Sequence, residues 1–244
     1  MELWGLTDCG KVRKHNQDVF RIQQSDEHDI AILVVCDGMG GTNAGNIASE
    51  LATSTFLDFI KRNIDEAKDL DDYAELISDA SVHANTIVFN KSLYNEALEG
   101  MGTTLVAAIV INNDAVISNI GDSRLYHVTG EKIKQITSDH SVVEEMVERG
   151  EITREEARIH PRRNYITRAI GASAYEPPDL YFLSLKENDY ILLCTDGLTN
   201  MVSDEEILTQ FQKGCSIQES CEALLETALK RGAPDNVTVV LLKK

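Results

Sequence analysis

Asp37 follows an apolar run, Ile30 to Cys36, and opens the stretch DGMGGTNAG, with glycines at 38, 40, 41 and 45. The arrangement recurs where the run Ile191 to Thr195 stops at Asp196-Gly197. Asp122 follows AVISNI and Gly121, Asp235 leads into NVTVVLL, and Asp18 directly precedes Val19 to Ile22. Taken singly, each aspartate reads as a turn residue, because Asp-Gly steps close hairpins and Asp side chains bond their own backbone. Taken together, carboxylates delivered to the edge of one core would repel and raise one another's pKa unless cations pair them. A ligand set made only of oxygens suits hard octahedral ions, so Mg²⁺ or Mn²⁺ is expected rather than zinc. The carbonyl of Gly38 is free to serve as a further ligand.

The elements that must position these residues follow from periodicity. Two short apolar segments, Leu3 to Leu6 and Val19 to Ile22, flank a connector with Lys11, Arg13, Lys14 and His15, a basic patch in an acidic chain. Ala44, Ile47, Ala48, Leu51, Ala52, Thr55 and Phe59 fall at helical spacing, and a second amphipathic helix is expected from about Leu70 to Asn90. From Met101 to Thr137 the runs TTLVAAIVI, AVISNI, SRLYHV and KIKQI, separated by turn residues, predict an antiparallel meander. Short helices are expected after Ser141 and Thr153, each followed three residues later by Glu, and longer ones after Ser203 and Ser216 on the same signal. Strands are expected near Leu180 to Leu185, up to Asp196, and after Asp235. With no linker, repeat or low-complexity tract, the chain reads as one domain of mostly antiparallel strands with segregated helices.

Composition narrows the functional classes. A chain of 244 residues with a formal net charge of −17 is ill suited to nucleic acid, whose phosphates it would repel. No signal-peptide pattern or apolar run of membrane-spanning length is present, so a cytoplasmic protein with no membrane partner is expected. The five cysteines include no C-x-x-C pair, and Cys36 and Cys194 sit within apolar runs as small hydrophobes. None is followed by arginine at the C-x5-R spacing of tyrosine phosphatases. Gly40 to Gly45 leads into Asn46-Ile47, where a nucleotide loop needs Lys and Ser or Thr.

In order along the chain stand RKHNQD (13–18), DGMGG (37–41), MGTT (101–104), GDSR (121–124), TSDHS (137–141), CTDGL (194–198) and PDNVT (234–238). With this set the sequence resembles the PPM family, the metal-dependent type 2C Ser/Thr protein phosphatases, in the compact bacterial form. The resemblance implies an α+β fold, a four-layer α-β-β-α sandwich of two antiparallel sheets flanked by helices, over residues 1–244. It implies that Asp37 bridges two metal ions, with the Gly38 carbonyl on one and Asp196 and Asp235 on the other, while Asp18 acts through bound water. Asp122 would help to hold a weaker third ion together with Asp196, and Arg13 would grip the substrate phosphate. The implied reaction is in-line attack on phosphorus by a water or hydroxide held between the metals, on phosphoserine and phosphothreonine in proteins. A bacterial Ser/Thr kinase would be the opposing partner, and the enzyme would be a monomer.

Two positions depart from relatives: Met39 stands where many eukaryotic members have a proton-donating histidine, and Thr42 where bacterial members often have another. Metal-bound water is therefore expected to protonate the leaving group. The arginines between 149 and 168 correspond to a mobile flap, about 140–171, and as surface residues would pair with Glu151, Glu155 and Glu156. Two other readings are a phosphatase dedicated to one stress-switch anti-sigma antagonist and a non-catalytic binding module that kept the fold.

Overall fold

The computed structural model describes residues 1–25 and 29–244, and the side chains of residues 41–43 are outside the description, so the departure at Thr42 lies outside the described residues. In chain order the strands are β1 (Glu2–Asp8), β2 (Asp18–Ser25), β3 (Ile30–Met39), β4 (Gly102–Thr103), β5 (Leu105–Ile111), β6 (Asp114–Ile120), β7 (Arg124–Val128), β8 (Ile133–Gln135), β9 (Asp179–Ser184), β10 (Tyr190–Cys194) and β11 (Val237–Lys243). The helices are α1 (Gly41–Asn63), α2 (Leu70–Leu93), α3 (Val142–Glu148), α4 (Arg154–Ile159), α5 (Asp196–Thr199), α6 (Asp204–Phe211) and α7 (Ile217–Lys230). One antiparallel sheet runs β2-β3-β5-β6-β9, with β4 added to β3, and the other runs β1-β11-β10-β7-β8.

Strand periodicity divides the interior into three apolar layers. In β3, Ala31, Leu33 and Val35 point between the sheets, where they meet Leu125, Ile191, Leu193, Val240 and Leu242. Ile32, Val34 and Cys36 point outward against Phe56 and Ile60 of α1 and Ile77 and Ala84 of α2. On the second sheet Leu192, Cys194, Val239 and Leu241 face outward against Ile207, Cys221 and Leu224 of α6 and α7. Both faces of the central strands are covered, which is why their sequences are continuous apolar runs rather than alternating ones. The layers are helices, sheet, sheet, helices, the expected sandwich. Among the described residues no helix is long and apolar enough to cross a membrane.

Two expectations need correction. The runs from Met101 to Thr137 do not form a single meander: β6 pairs with β5 and β9, whereas β7 pairs with β10 and β8 of the other sheet. The chain changes sheets at Gly121, whose φ of 110° is open to glycine without strain. The Asp122 segment is thus a crossover between layers and not a hairpin turn. The flap arginines also find other partners than predicted: Arg149 pairs with Glu145, Arg154 with Glu144, and Arg168 with Glu176 and Asp179. Helix geometry favours the i,i+4 pair of Arg149, and Glu144 turns to Arg154 instead of back to its own helix start.

Candidate active site

The five aspartates arrive at one end of the sandwich from both sheets. Asp18 and Asp37 are register partners across β2 and β3. β3 does not stop at Asp37: it pairs with β5 as far as Val35 and then with β4 from Gly38. Asp37 sits at this change of partner, with its N–H donating to Thr104 Oγ1 (2.9 Å) and its carbonyl accepting from Thr104 N–H (2.9 Å) and the Thr103 hydroxyl (2.9 Å). Asp196 opens α5 directly after β10, Asp235 precedes β11, and Asp122 lies in the crossover. Gly38 and Gly45 are pressed together, so that a side chain on Gly38 would run into the Gly45 carbonyl. That contact sets the start of α1 against the strand and accounts for the glycine spacing.

Asp37, Asp122, Asp196, Asp235 and Gly38 line a cavity of about 590 Å³, with Arg13, Lys14, His15 and Met39 also in its wall. Asp18 lies buried behind it. Burial pushes Asp37 well above the usual carboxylate range, and Asp18, Asp196, Asp122 and Asp235 push it further. Burial likewise raises Asp122, followed by the charges of Asp196 and Asp139, against a lowering pull from Arg124. Asp18 is raised to about 7 by burial, despite two hydroxyl donors, and Asp196 to about 6 by burial and then by Asp235. Asp18 Oδ1 and Asp196 Oδ1 are buried with no hydrogen-bond partner.

Acids gathered this way are stable in their charged form only with cations between them, and the orphaned oxygens are where a cation or the water it carries would sit. The residues present therefore fit hard divalent ions. No three His, Cys, Asp or Glu side chains among the described residues form a ready cage around one point.

The other oxygens are held in place. Asp18 Oδ2 accepts from the hydroxyls of Thr195 (2.9 Å) and Thr238 (2.7 Å), one from each of two neighbouring strands' ends in the opposite sheet. Asp196 Oδ2 accepts from Asn200 Nδ2 at 3.0 Å. Arg13 donates to Asp235 Oδ2 at 2.7 Å, a pair whose side chains are 52% and 31% exposed. The loop carrying Arg13 is pinned by Asn236, which donates to the carbonyls of Cys9 (2.9 Å) and His15 (3.1 Å) and accepts from Gln17 N–H (2.8 Å).

Sequence reasoning gave no role to Asn236, Thr195, Thr238, Thr104 or Asp139. Each lies within a quoted motif, and for Thr195 and Thr238 the signal was a polar residue inside an otherwise apolar run. Asp139 holds Arg124 through both carboxylate oxygens (2.7 to 3.0 Å), and Thr104 bonds Ser123 at 2.7 Å, so both brace the crossover that carries Asp122. His140 completes the brace: its Nδ1 accepts from Gly121 N–H (3.0 Å) and its own N–H donates to the Gly121 carbonyl (3.0 Å).

A fold of two antiparallel sheets between helices agrees with the likenesses found among known proteins. The family model described as protein phosphatase 2C matches residues 8–232. The chain is 38% identical over 247 residues to the protein phosphatase PhpP of Streptococcus pneumoniae, covering 99% of this chain and 97% of that one. The crystal structure of the serine/threonine phosphatase Stp1 from Staphylococcus aureus superposes with a TM-score of 0.91 at 37% identity, covering 100% of this chain and 94% of the other. The catalytic domain of the serine threonine protein phosphatase PstP, solved in complex with two manganese ions, superposes with a TM-score of 0.83 at 35% identity over 98% and 96% of the two chains. The chain belongs to the protein phosphatase 2C family.

Proposed function

We propose that this protein is a serine/threonine protein phosphatase that hydrolyses phosphoserine and phosphothreonine on proteins with Mn²⁺ or Mg²⁺ in the acidic cavity. The observation that carries the reading is the buried aspartate cluster with two orphaned oxygens, opening beside Arg13 in a chain of this family. Asp37, the Gly38 carbonyl, Asp196 and Asp235 would hold two ions tightly, and Asp18, held by its two threonines, would support them through water. Asp122 with Asp196 is assigned to a weaker third ion.

Bound ions would neutralise the cluster, lower the pKa of the attacking water and offset the charge of the phosphoryl oxygens. Arg13 offers the phosphate a planar fork of donors, and its position at the rim is set by Asn236 and Asp235. Arriving phosphate competes with Asp235 for that fork. Among the described residues no cysteine lines the cavity, and burial pushes the Cys36 and Cys194 thiols far up. A covalent thiolate route therefore has no candidate nucleophile. Met39 has no proton to give, and protonation of the leaving alkoxide is assigned to water in the cavity.

The reading takes residues 1–244 as one phosphatase domain, with the segment of about 140–171 as a flap beside the cavity. Three continuous apolar layers support it. It further takes the protein as a cytoplasmic monomer that opposes a Ser/Thr protein kinase. The test is turnover of a phosphothreonine peptide with Mn²⁺, with Mg²⁺ and in excess chelator: activity with either ion and none with chelator is expected. Undiminished turnover in chelator overturns the metal assignment, and no turnover with either ion overturns the activity.

A further inference from the structure

A second depression of about 470 Å³ adjoins the acidic cavity. Met39 contributes to both and forms the partition between them. Its apolar lining comes from Phe89 and Leu93 near the end of α2 and from Met101, while Glu96 and Glu99, on the turn that follows α2, complete it. The opposite side is formed by Ala169, Gly171 and Ala172, where the flap segment rejoins the sandwich.

Two features of this groove bear on what it could hold. Leu93 is 61% exposed and the adjacent Tyr94 88% exposed, a local concentration of apolar area at a helix end. Glu96 and Glu99 are both exposed, and neither takes part in any ion pair among the described residues. An apolar lining with unpaired carboxylates is complementary to a side chain with an aliphatic stem and a cationic head.

We propose that this groove receives an arginine or lysine flanking the phosphorylated residue of a protein substrate. The proposal rests on the phosphatase reading above and adds a sequence preference to it. With the phosphate at Arg13 and the aspartates, a neighbouring residue of the extended substrate crosses Met39 and lays its stem on Leu93 and Phe89. Its charged head then lies between Glu96 and Glu99. An acidic residue in the same place meets two like charges on a chain of net charge −17, and an apolar residue leaves both glutamates unused.

The test compares phosphothreonine peptides that differ only in the residues flanking the phosphate, Arg, Leu or Glu, placed on one side or the other. For one side, kcat/KM for the Arg peptide should exceed that for the Leu peptide by about fivefold, the size expected of exposed charge pairs. The Glu peptide should be slowest, the advantage should lie in KM, and it should shrink as salt rises. Glu96→Gln with Glu99→Gln should abolish the Arg advantage, while p-nitrophenyl phosphate, too small to reach the groove, is hydrolysed at the unaltered rate. Equal kcat/KM for the three peptides, a Leu peptide faster than the Arg peptide, or an Arg advantage that survives the double substitution overturns the proposal. A protein that hydrolyses p-nitrophenyl phosphate but none of the peptides overturns the protein-phosphatase reading itself, and the groove assignment with it.

Discussion

At the starts of α6 and α7, Glu206 and Glu219 accept from the backbone N–H of Ser203 (3.0 Å) and Ser216 (2.9 Å), and the serine hydroxyls accept in return from the helix. Arg231 adds two charged donors to Glu206 and, with the Ser203 N–H, draws it down to about 2. In the cavity the pattern is reversed: Asp37 and Asp122 stand far above the carboxylate range, and Asp18 and Asp196 each keep one oxygen with no donor. The same functional group is supplied with donors at one place and left with an unpartnered oxygen at the other. Where an acid serves the fold, the fold supplies its hydrogen bonds. Where an acid is to receive a cation, the fold withholds them and accepts the repulsion.

Removing an acid from each class should therefore give opposite results, and the largest difference is expected at Asp37. Asp37→Asn should lower kcat on the order of a thousandfold, the scale seen when one preorganised electrostatic contact is lost from a water-poor site. The ion-free variant should melt no lower than the parent, because a repelling charge has gone. A large drop in its melting temperature would make Asp37 a structural acid and break the contrast. Asp122→Ala should reduce turnover less, on the order of tenfold to a hundredfold, by analogy with supporting groups around metals. Titration calorimetry should still find the tight ions. Their loss would move Asp122 into the main cluster, and full activity with an unchanged metal profile would leave it a linker residue. Arg13→Ala should raise KM by roughly tenfold, the size of a lost charge-assisted pair, with metal affinity held; an unchanged KM for a phosphopeptide would move phosphate binding elsewhere.

The two classes should also respond oppositely to pH. A carboxyl whose pKa is raised on folding binds its proton more tightly in the native state, so its stabilising contribution is complete below the unfolded value and is lost as pH rises through the folded one. For Asp18 and Asp196 that window runs from 3.8 to about 7 and about 6 respectively. Protein stripped of ions by chelator should thus become more stable as pH falls from 7 towards 5. The capping glutamates, with pKa values lowered from 4.5, stabilise above that value and lose their contribution as pH falls through their folded values. A melting temperature independent of pH from 5 to 7 in chelator would show the cluster to be less strained than its burial implies. The smallest effect on activity is expected at the caps: Ser216→Ala should cost about 1 kcal/mol of stability and leave kcat unchanged.

The order of elements was legible because apolar runs and Ser-x-x-Glu signals are local. The capping boxes at Thr153, Ser203 and Ser216 all formed, and the strands and helices fell close to where periodicity put them. The aspartates could be nominated because each stands at or near the end of an apolar run. What local pattern could not carry was partnership. A Gly-Asp step between two β-runs looks the same whether the chain folds back in one sheet or crosses to the other, and only the packing of β7 against β10 decides it. The flap arginines have several acids in reach along the sequence, and the choice among them depends on how α3 and α4 face each other. The threonines that hold Asp18 are remote from it in the chain, so no spacing announces them.

That remoteness has a consequence for the life of the chain before it is finished. Asp18 and Thr238 are separated by 220 positions, and Arg13 and Asp235 by 222. At ribosomal rates of about 5–20 residues per second, the hydroxyl that holds Asp18 is made roughly 10 to 40 seconds after it. Until then the nascent chain has β2 and β3 with their two facing aspartates, but neither Asp235 nor the strand that bridges β1 and β10. A nascent chain that has not reached β11 therefore lacks both Asp235 and the Thr238 hydroxyl that holds Asp18, so the aspartate cluster is assembled only once β11 has been made.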